Sequence, residues 1–346
     1  MSDDEVAWLW EHYTYRFFAE GAIYHDVLEL RDQIKSIDEW CPRWSVAART
    51  AEEKADRALA SRFTQTAGDD LYRSSLYYFF AQFLLWDFPA EKRIAYENCA
   101  RAFRRAVPHL VPPLQPIEIP YRSLKMPGFL RLPASTKKPP CVLLIDGLDT
   151  TKEEQLVISS LCVQRGMATL AFDGPGQGEM FYKMKMTPSY IDAVHAALDF
   201  AENLAAIDGT RLGLIGRSLG SHYAAKAAAL DARVKASVSW GSMYHLRNYR
   251  TIPQNTLAGF MYVTGSKTPE EVRPYFESVD LAGLAAKITC PLMIINGGLD
   301  PITPAENVAL MRSEVKGPTE VLFWENATHC AHDLPHLCRP AMADFM

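Results

Sequence analysis

Residues 211–230, RLGLIGRSLGSHYAAKAAAL, decide the fold. The stretch 211–215, apolar after Arg211, is typical of a buried strand, and the alanine-rich run 219–230 is typical of a helix. Between them, the pentapeptide GRSLG at residues 216–220 matches G-x-S-x-G, a pattern that forms a sharp turn from a strand into a helix. Its glycines leave room for the neighbouring backbone. The Ser218 hydroxyl is therefore expected to project from the edge of a sheet, next to a helix N-terminus.

The chain after residue 110 alternates short apolar runs with helical stretches. Strands are predicted over Ile117–Tyr121, Gly128–Leu132, Val142–Ile145, Ala168–Phe172, Arg211–Ile215, Ala236–Trp240, Leu292–Asn296 and Glu320–Trp324. Helices are predicted over Lys152–Arg165, Pro188–Ile207, Leu219–Leu230 and Pro304–Val315. Strands that alternate with helices indicate an α/β fold, with a mainly parallel eight-stranded sheet and helices on both faces.

The part before residue 110 has a different character. Pro and Gly are sparse there, and apolar residues or strong helix formers predict helices over 6–19, 45–66, 70–86 and 90–107. The proline-rich stretch 107–116 ends this pattern. We therefore predict a helical N-terminal domain over 1–110 and a sheet domain over 111–346. The segment 241–285 is too long for an ordinary connection, and we predict that it is a lid-like insertion.

Composition excludes several classes of protein. The chain has 346 residues, 48% hydrophobic and 22% charged, which is typical of a globular protein and not of a disordered one. The net charge of −5 offers no electrostatic argument for nucleic acid as a partner. No apolar run approaches the roughly 20 residues that span a bilayer. The acidic N-terminus without a following apolar stretch predicts a cytoplasmic location.

Seven scattered cysteines form no C-x-x-C pair, so we expect reduced thiols and no metal site. The last residues, Phe345 and Met346, fall in an expected helix, which leaves open whether the natural chain continues past them.

A serine nucleophile needs a base, and the base needs an acid that orients it. In this type of fold the order along the chain is Ser, acid, His. Asp300 lies on a turn after the predicted strand Leu292–Asn296, and His329 lies on a loop after Glu320–Trp324. Functional side chains of α/β sheets gather at such strand ends. We predict that Ser218 is the nucleophile, Asp300 the acid and His329 the base.

Alternatives to these residues exist nearby. His332 lies three residues beyond His329 and stays open as the base. Asp333 and Glu325 are close in sequence but do not lie on a turn that ends a strand. His222 lies one turn into the predicted helix, and we predict that it lines the pocket. Other histidines are more often surface or core residues, namely His195 and His245.

An oxyanion needs two N–H donors. One is the Leu219 amide at the start of the helix, and the other is the Leu148 amide in the loop after Val142–Ile145, where Gly147 allows a close turn. The glycine-rich loop 173–179 lacks the pattern of a phosphate-binding loop. No metal and no organic cofactor is therefore expected.

Three stretches together resemble one known superfamily. They are DGLDTTKEE at 146–154, DGPGQGEM at 173–180 and GRSLG at 216–220. In this order they are similar to the α/β-hydrolases, and within them to the 2,6-dihydroxypseudooxynicotine hydrolase group. That group is related to the FrsA-like esterases and to fungal hydrolases that shorten polyketides. The resemblance covers roughly residues 110–346.

The resemblance implies an α/β-hydrolase fold with the triad Ser218, Asp300 and His329. It also implies that the amides of Leu148 and Leu219 are the oxyanion donors. A helical domain that caps the site and takes part in a homodimer is implied as well.

One departure from the family pattern concerns the substrate. A carbon–carbon-cleaving member of the group uses a carboxylate after the strand that follows the nucleophile helix, whereas residues 240–268 here contain no Asp or Glu. A neutral or anionic aromatic or polyketide-like substrate is therefore favoured over a cationic ketone. Together with His222, the predicted substrate-binding residues are Tyr244, His245, Asn248 and Tyr249.

Three hypotheses about function follow. The first is a serine hydrolase that acts on an ester or a β-dicarbonyl C–C bond of a small molecule through an acyl-enzyme. The second is an acyltransferase or cyclase, with the same triad and water excluded. The third is a non-catalytic binding protein on the same fold, since a fold alone does not prove activity.

Overall fold

The chain divides into two compact units, and the division falls between Gln115 and Pro116. A computed structural model describes residues 3–134, 137–247 and 252–346. The predicted domain boundary, between residues 110 and 111, lies a few residues inside the first unit, because the proline-rich stretch belongs with the helices.

The first unit is helical and has an aromatic core. Its helices are α1 Asp3–Glu20, α2 Tyr24–Gln33, α3 Ile37–Ala60, α4 Thr64–Gln82 and α5 Pro89–Ala106. Helix α2 was not predicted, because only Val27 and Leu30 are buried in it. Helix α3 begins before the predicted start at residue 45 and continues through Pro42. Burial of Trp40 and Trp44 on one face of this helix outweighs the helix-breaking tendency of proline.

The second unit contains one sheet of eight strands. The strands are β1 Leu114–Tyr121, β2 Leu124–Arg131, β3 Cys141–Ile145, β4 Ala168–Phe172, β5 Leu212–Arg217, β6 Val234–Trp240, β7 Leu292–Gly297 and β8 Thr319–Trp324. Their order across the sheet is β1-β2-β4-β3-β5-β6-β7-β8. Strand β2 runs antiparallel to β4, and the pairs from β4 to β8 are parallel. The prediction of a mainly parallel eight-stranded sheet is confirmed.

Two hydrophobic layers cover the two faces of the sheet. Leu143 and Ile145 of β3 belong to one layer, and Val142 and Leu144 belong to the other, as the alternation of side chains along a strand requires. The first layer includes residues of α7 Ile191–Glu202, α8 Leu219–Leu230 and α11 Ala305–Glu314. The second includes residues of α6 Leu156–Gln164 and α12 Pro335–Phe345.

The segment 241–285, predicted as a lid, contains two helices, α9 Gln254–Thr264 and α10 Pro269–Ser278. Their buried aromatic residues belong to the first hydrophobic layer, as Phe260 does. The Tyr275 hydroxyl lies 2.6 Å from the Tyr223 hydroxyl of α8, so this segment is fastened to the helix that follows Ser218. Across the described ranges, no helix combines the length and apolarity needed to cross a membrane.

Candidate active site

Ser218 occupies a strained turn between β5 and α8. Its backbone has φ 54° and ψ −120°, a conformation that costs an ordinary residue about 1–3 kcal/mol. The turn depends on its two glycines. A Cβ atom on Gly216 would lie 2.1 Å from the Gly220 carbonyl oxygen, and one on Gly220 would lie 2.3 Å from the Ile145 carbonyl oxygen. The Ser218 N–H donates to the Trp240 carbonyl at 2.7 Å, which fixes the turn against the neighbouring strand β6.

Three side chains from distant parts of the sequence meet at this turn. His329 Nε2 lies 2.9 Å from Ser218 Oγ, and His329 Nδ1 lies 2.6 Å from Asp300 Oδ2. Asp300 follows β7 and His329 follows β8, so parallel strands deliver both side chains to the edge of the sheet where β5 ends. We call Ser218, His329 and Asp300 the relay.

Asp300 is held by its own turn. Its Oδ1 accepts hydrogen bonds from the backbone N–H groups of Ile302 at 2.8 Å and Thr303 at 2.9 Å, and the Thr303 hydroxyl donates to Oδ2. Burial by itself would raise the pKa of Asp300. The charge of His329 and the hydrogen bonds from His329 and Thr303 outweigh burial and keep the pKa below its ordinary value. Asp300 is therefore a carboxylate at neutral pH. The sequence analysis did not predict this role of Thr303, because a threonine three residues after an aspartate has no pattern that marks it as a hydrogen-bond donor.

The same pair shifts the pKa of His329 upward. Burial lowers this pKa, but the attraction between the imidazolium and Asp300 is stronger and raises it above the ordinary value of histidine. The Cys330 thiol lies 3.5 Å from His329 Nε2 and within 3.7 Å of the Trp240 carbonyl. The ring of His329 thus lies between a carboxylate on one side and the serine hydroxyl on the other.

Leu219 and the loop that carries Leu148, the two predicted sources of oxyanion donors, lie beside Ser218. Leu219 is the first residue of α8, where an N–H group has no partner within the helix. Leu148 lies in the loop after β3. A Cβ atom on the preceding Gly147 would come within 3.2 Å of Ser218 Cβ and 3.0 Å of the Arg217 carbonyl, so this loop contacts the turn directly.

The alternative residues occupy other places. His332 packs edge-on against Trp240, with ring centroids 5.4 Å apart, and Asp333 accepts hydrogen bonds from the Thr328 N–H and hydroxyl. His195 lies 3.1 Å from Asp231.

The predicted substrate-binding residues lie in varied surroundings. Tyr244 is buried, and its hydroxyl donates to Glu314 Oε1 at 2.6 Å. His245 is half-buried, and its backbone pairs with Asp280. His222 is fully buried in α8, and burial, with a smaller effect of Lys226, lowers its pKa to about 3. Its ring is therefore neutral. Asn248 and Tyr249 lie outside the described residues.

A second group of charged residues lies beside the relay and is completely buried. Lys152 Nζ donates to Asp173 Oδ2 at 2.6 Å and to Glu153 Oε1 at 2.7 Å. Arg217, the residue before Ser218, donates through Nη2 to Glu154 Oε2 at 2.7 Å. We call these five residues the ionic cluster. Their side chains were quoted above for the resemblance, but their mutual pairing was not predicted, because no local pattern shows which of five charges pair.

No set of three or more His, Cys, Asp or Glu side chains suited to a metal ion occurs within the three described ranges.

Comparison with known proteins agrees with the geometry. The family model described as "Esterase FrsA-like" matches residues 23–272. The 2,6-dihydropseudooxynicotine hydrolase of Paenarthrobacter nicotinovorans is 31% identical over 332 residues, which are 96% of this chain and 90% of the relative. Hydrolase acrC of Aspergillus aculeatus is 29% identical, and the match covers 84% of this chain and 81% of the relative.

The chain is also similar in structure to a solved protein. The crystal structure of the 2,6-dihydroxy-pseudo-oxynicotine hydrolase matches with a TM-score of 0.89 and 31% identity, over 96% of this chain and 94% of the other. The resemblance inferred from the three sequence stretches is thereby confirmed, and so is the α/β-hydrolase fold. The chain belongs to the FrsA-like esterase family and is a hydrolase.

Proposed function

We propose that this hydrolase forms an acyl-enzyme on Ser218 and cleaves an ester or a β-dicarbonyl C–C bond of a small aromatic or polyketide-like molecule. The observation that carries the proposal is the continuous relay. Ser218 Oγ lies 2.9 Å from His329 Nε2, and His329 Nδ1 lies 2.6 Å from Asp300. Both distances are within the range expected of a nucleophile, its base and the group that orients the base.

In the first step, His329 Nε2 accepts the Ser218 proton while Oγ attacks the substrate carbonyl carbon. The negative charge that develops on the carbonyl oxygen is held by the N–H groups of Leu148 and Leu219. One such donor typically accounts for about 10²–10³ in kcat. The tetrahedral intermediate collapses when His329 returns the proton to the leaving group, which is an oxygen for an ester and a carbon for a β-dicarbonyl.

In the second step, a water molecule loses a proton to His329 and attacks the acyl carbon. The Ser218–acyl bond breaks, and His329 returns the proton to Oγ. Throughout both steps Asp300 keeps the proton of the neutral ring on Nδ1 and stabilises the imidazolium that forms.

The substrate class rests on the charges of the segment that follows β6. The segment that follows β6 contains no acidic residue between positions 240 and 268, and the described carboxylate of Asp280 is paired with Arg247 at 2.7 Å. Residues 240–268 therefore offer no carboxylate to a cationic substrate group. The Paenarthrobacter relative bears the name of a pseudooxynicotine hydrolase. For this chain we propose a neutral or anionic substrate.

Labelling with a fluorophosphonate tests the nucleophile. We expect one adduct on the wild-type protein by intact mass, and no adduct on Ser218→Ala. Hydrolysis of p-nitrophenyl esters and of a β-diketone should fall by about 10⁶ in Ser218→Ala. Ser221→Ala is the matched control. It removes a hydroxyl one turn away that donates to the Gly241 carbonyl at 2.9 Å, and it should still be labelled.

Adduct formation that persists in Ser218→Ala would contradict the proposal. Turnover in ¹⁸O-labelled water separates hydrolysis from acyl transfer, because hydrolysis places one labelled oxygen in the acid product. An ester, lactone or amide product without the label, in place of a labelled acid, would favour the acyltransferase or cyclase hypothesis. Unchanged turnover of all esters in Ser218→Ala would overturn the role of the relay altogether.

A further inference from the structure

Gln177 is buried between two loops at the edge of the sheet and is 2% exposed. Its Nε2 donates to the carbonyl of Asp146 at 2.9 Å and to the carbonyl of Gly147 at 2.7 Å. Its Oε1 accepts from the Gly174 N–H at 3.1 Å and from the Tyr190 hydroxyl at 2.5 Å. A glutamine amide has two N–H donors and two acceptor lone pairs, and all four are used here.

The orientation of this amide is determined by its partners. The Gly174 N–H is only a donor and must face Oε1, whereas the two carbonyls are only acceptors and must face Nε2. Tyr190 is fully buried and stacks on Tyr223, with ring centroids 4.3 Å apart. A Cβ atom on Gly174 would lie 2.5 Å from the Tyr190 hydroxyl oxygen, so a glycine is needed there for the hydroxyl to reach Gln177.

The hydrogen bond to the Gly147 carbonyl also affects the N–H of Leu148, which belongs to the same peptide group. The Gly147 carbonyl and the Leu148 N–H share one planar trans peptide, and they point in opposite directions. A hydrogen bond that holds the carbonyl therefore also fixes the direction of the N–H. Among the described residues, the Leu148 N–H makes no backbone hydrogen bond of its own. Gly147 lies against Ser218, as shown above.

We propose that Gln177 is a positioning residue that clamps the Gly147–Leu148 peptide, so that the Leu148 N–H is held ready for the oxyanion. Tyr190 orients the clamp from behind. The hydrogen bond on the carbonyl also polarises the peptide and strengthens its N–H as a donor. This inference rests on the proposed function, since an oxyanion forms only if Ser218 attacks a carbonyl.

The principal test is Gln177→Met, which keeps the length of the side chain and removes its hydrogen bonds. We expect kcat for p-nitrophenyl butyrate to fall by about 10- to 100-fold, less than or equal to the effect of losing one oxyanion donor, while KM changes less than threefold. Two inhibitors distinguish a loss of oxyanion binding from a general disturbance of the fold. Trifluoroacetophenone forms a hemiketal oxyanion on the serine, and its Ki should rise by the same factor as kcat falls. Acetophenone forms no stable adduct, and its Ki should not change.

Tyr190→Phe is the second variant, and it keeps the proposal testable if Gln177→Met does not fold. It removes only the hydroxyl that orients Gln177, so kcat and the trifluoroketone affinity should fall together by a smaller factor. Ser159→Ala is the control. It removes a buried hydrogen bond to the Thr169 hydroxyl, 2.6 Å long, in the same unit. We expect a lower melting temperature and an unchanged trifluoroketone Ki.

The outcomes are distinguishable. If both clamp variants lower the melting temperature but keep the wild-type kcat and trifluoroketone Ki, Gln177 is purely structural and the inference is overturned, while fluorophosphonate labelling of Ser218 still supports the proposed function. If acetophenone and trifluoroacetophenone weaken equally, the clamp shapes the pocket and does not position the oxyanion donor. If the wild-type protein is not labelled, the proposed function and the clamp fail together.

Discussion

The relay and the ionic cluster lie at the same edge of one sheet, yet they differ in burial and backbone. The relay follows β5, β7 and β8, and the cluster lies at the ends of β3, β4 and β5. In the relay the Asp300 side chain is 0% exposed but His329 is 19% exposed, whereas in the cluster both Lys152 and Asp173 are buried, at 2% and 0%. Ser218 has a left-handed φ, while its neighbour Arg217 is an ordinary strand residue.

This difference indicates that the two groups have different roles: the relay transfers protons, and the ionic cluster stabilises the surrounding loops. A buried charge is tolerated only when an opposite charge and hydrogen bonds compensate it, and each charge in the cluster has such a partner. The cluster therefore holds the loops after β3 and β4 against the residue that precedes Ser218. The relay keeps one partner, the serine hydroxyl, open to substrate. A change in the relay should therefore alter the rate more than the stability, and a change in the cluster should alter the stability more than the rate.

Among the variants that test this contrast, the largest effect is expected for Asp300→Asn. The amide cannot stabilise the imidazolium and favours the wrong tautomer of His329, so kcat should fall by about 10⁴. Asp300 raises the pKa of His329. The base works only when neutral, so activity rises with pH through this pKa. Without the carboxylate the pKa falls, and the acid limb of kcat/KM should move to lower pH. A pH–rate profile measures both effects.

The matched control for this variant is Asp333→Asn. Asp333 is four residues from His329 but accepts hydrogen bonds from Thr328. Its replacement should leave the acid limb in place. An acid limb that shifts in Asp333→Asn and not in Asp300→Asn would identify the wrong carboxylate as the partner of His329.

The next largest effect is expected for Lys152→Met. This variant should change the free energy of unfolding and not the catalytic rate. Removing this ammonium leaves the buried Asp173 without its cation, which should lower the free energy of unfolding by about 3–5 kcal/mol. The kcat of the protein that remains folded should change little. Urea unfolding followed by tryptophan fluorescence gives the first quantity, and an ester assay gives the second.

Lys125→Met provides a control with the same geometry. Its Nζ also lies 2.6 Å from a carboxylate, that of Glu118, but both side chains are 64% exposed. A pair of this kind contributes about 0–1 kcal/mol. Equal destabilisation by the two methionine variants would show that burial does not distinguish the pairs, and the contrast between relay and cluster would lose its basis.

The smallest effect is expected for Thr303→Val. Thr303 is not part of the relay, but its hydroxyl donates a hydrogen bond to Asp300, which is. The variant removes one hydrogen bond to Asp300 Oδ2 and keeps the backbone bonds to Oδ1. The free energy of unfolding should fall by about 1 kcal/mol, and kcat by less than tenfold. Since the hydroxyl helps to lower the pKa of Asp300, its loss should raise that pKa. A loss of kcat as large as that of Asp300→Asn would place Thr303 in the relay itself.

Local patterns predicted much of this architecture. All eight strands were expected, because short apolar runs between turn residues mark buried parallel strands. Helices α2, α9 and α10 were missed. The apolar residues of α2 and α10 are few and are interrupted by polar ones, and α9 lies in the segment 241–285, whose length indicated an insertion but not its secondary structure. Their helical form depends on the surfaces they pack against. Phe260 of α9 illustrates this, because it is buried against Tyr275 and Phe276 of α10 and within the first hydrophobic layer of the sheet domain.

In the candidate site, Ser218, Asp300 and His329 could be predicted from the sequence, because each lies on a turn after a predicted strand and they occur in the expected order. The hydrogen bond from Gln177 to the Gly147 carbonyl could not be predicted. It joins residues 30 positions apart through a backbone acceptor that every residue carries. The pairing of Lys152 with Asp173 was hidden for a similar reason, because charges are common and their partners are determined in space.

By itself, the sequence determined the alternation of strands and helices and the sharp turn at Ser218. Both depend on side-chain size, periodicity and the freedom of glycine within a few residues. Only the tertiary structure decided how close Asp300 lies to His329, which charges neutralise one another and which amide holds the Leu148 peptide. Hydrogen bonds and ion pairs act over about 3 Å, and only the register of the packed strands brings distant residues that close.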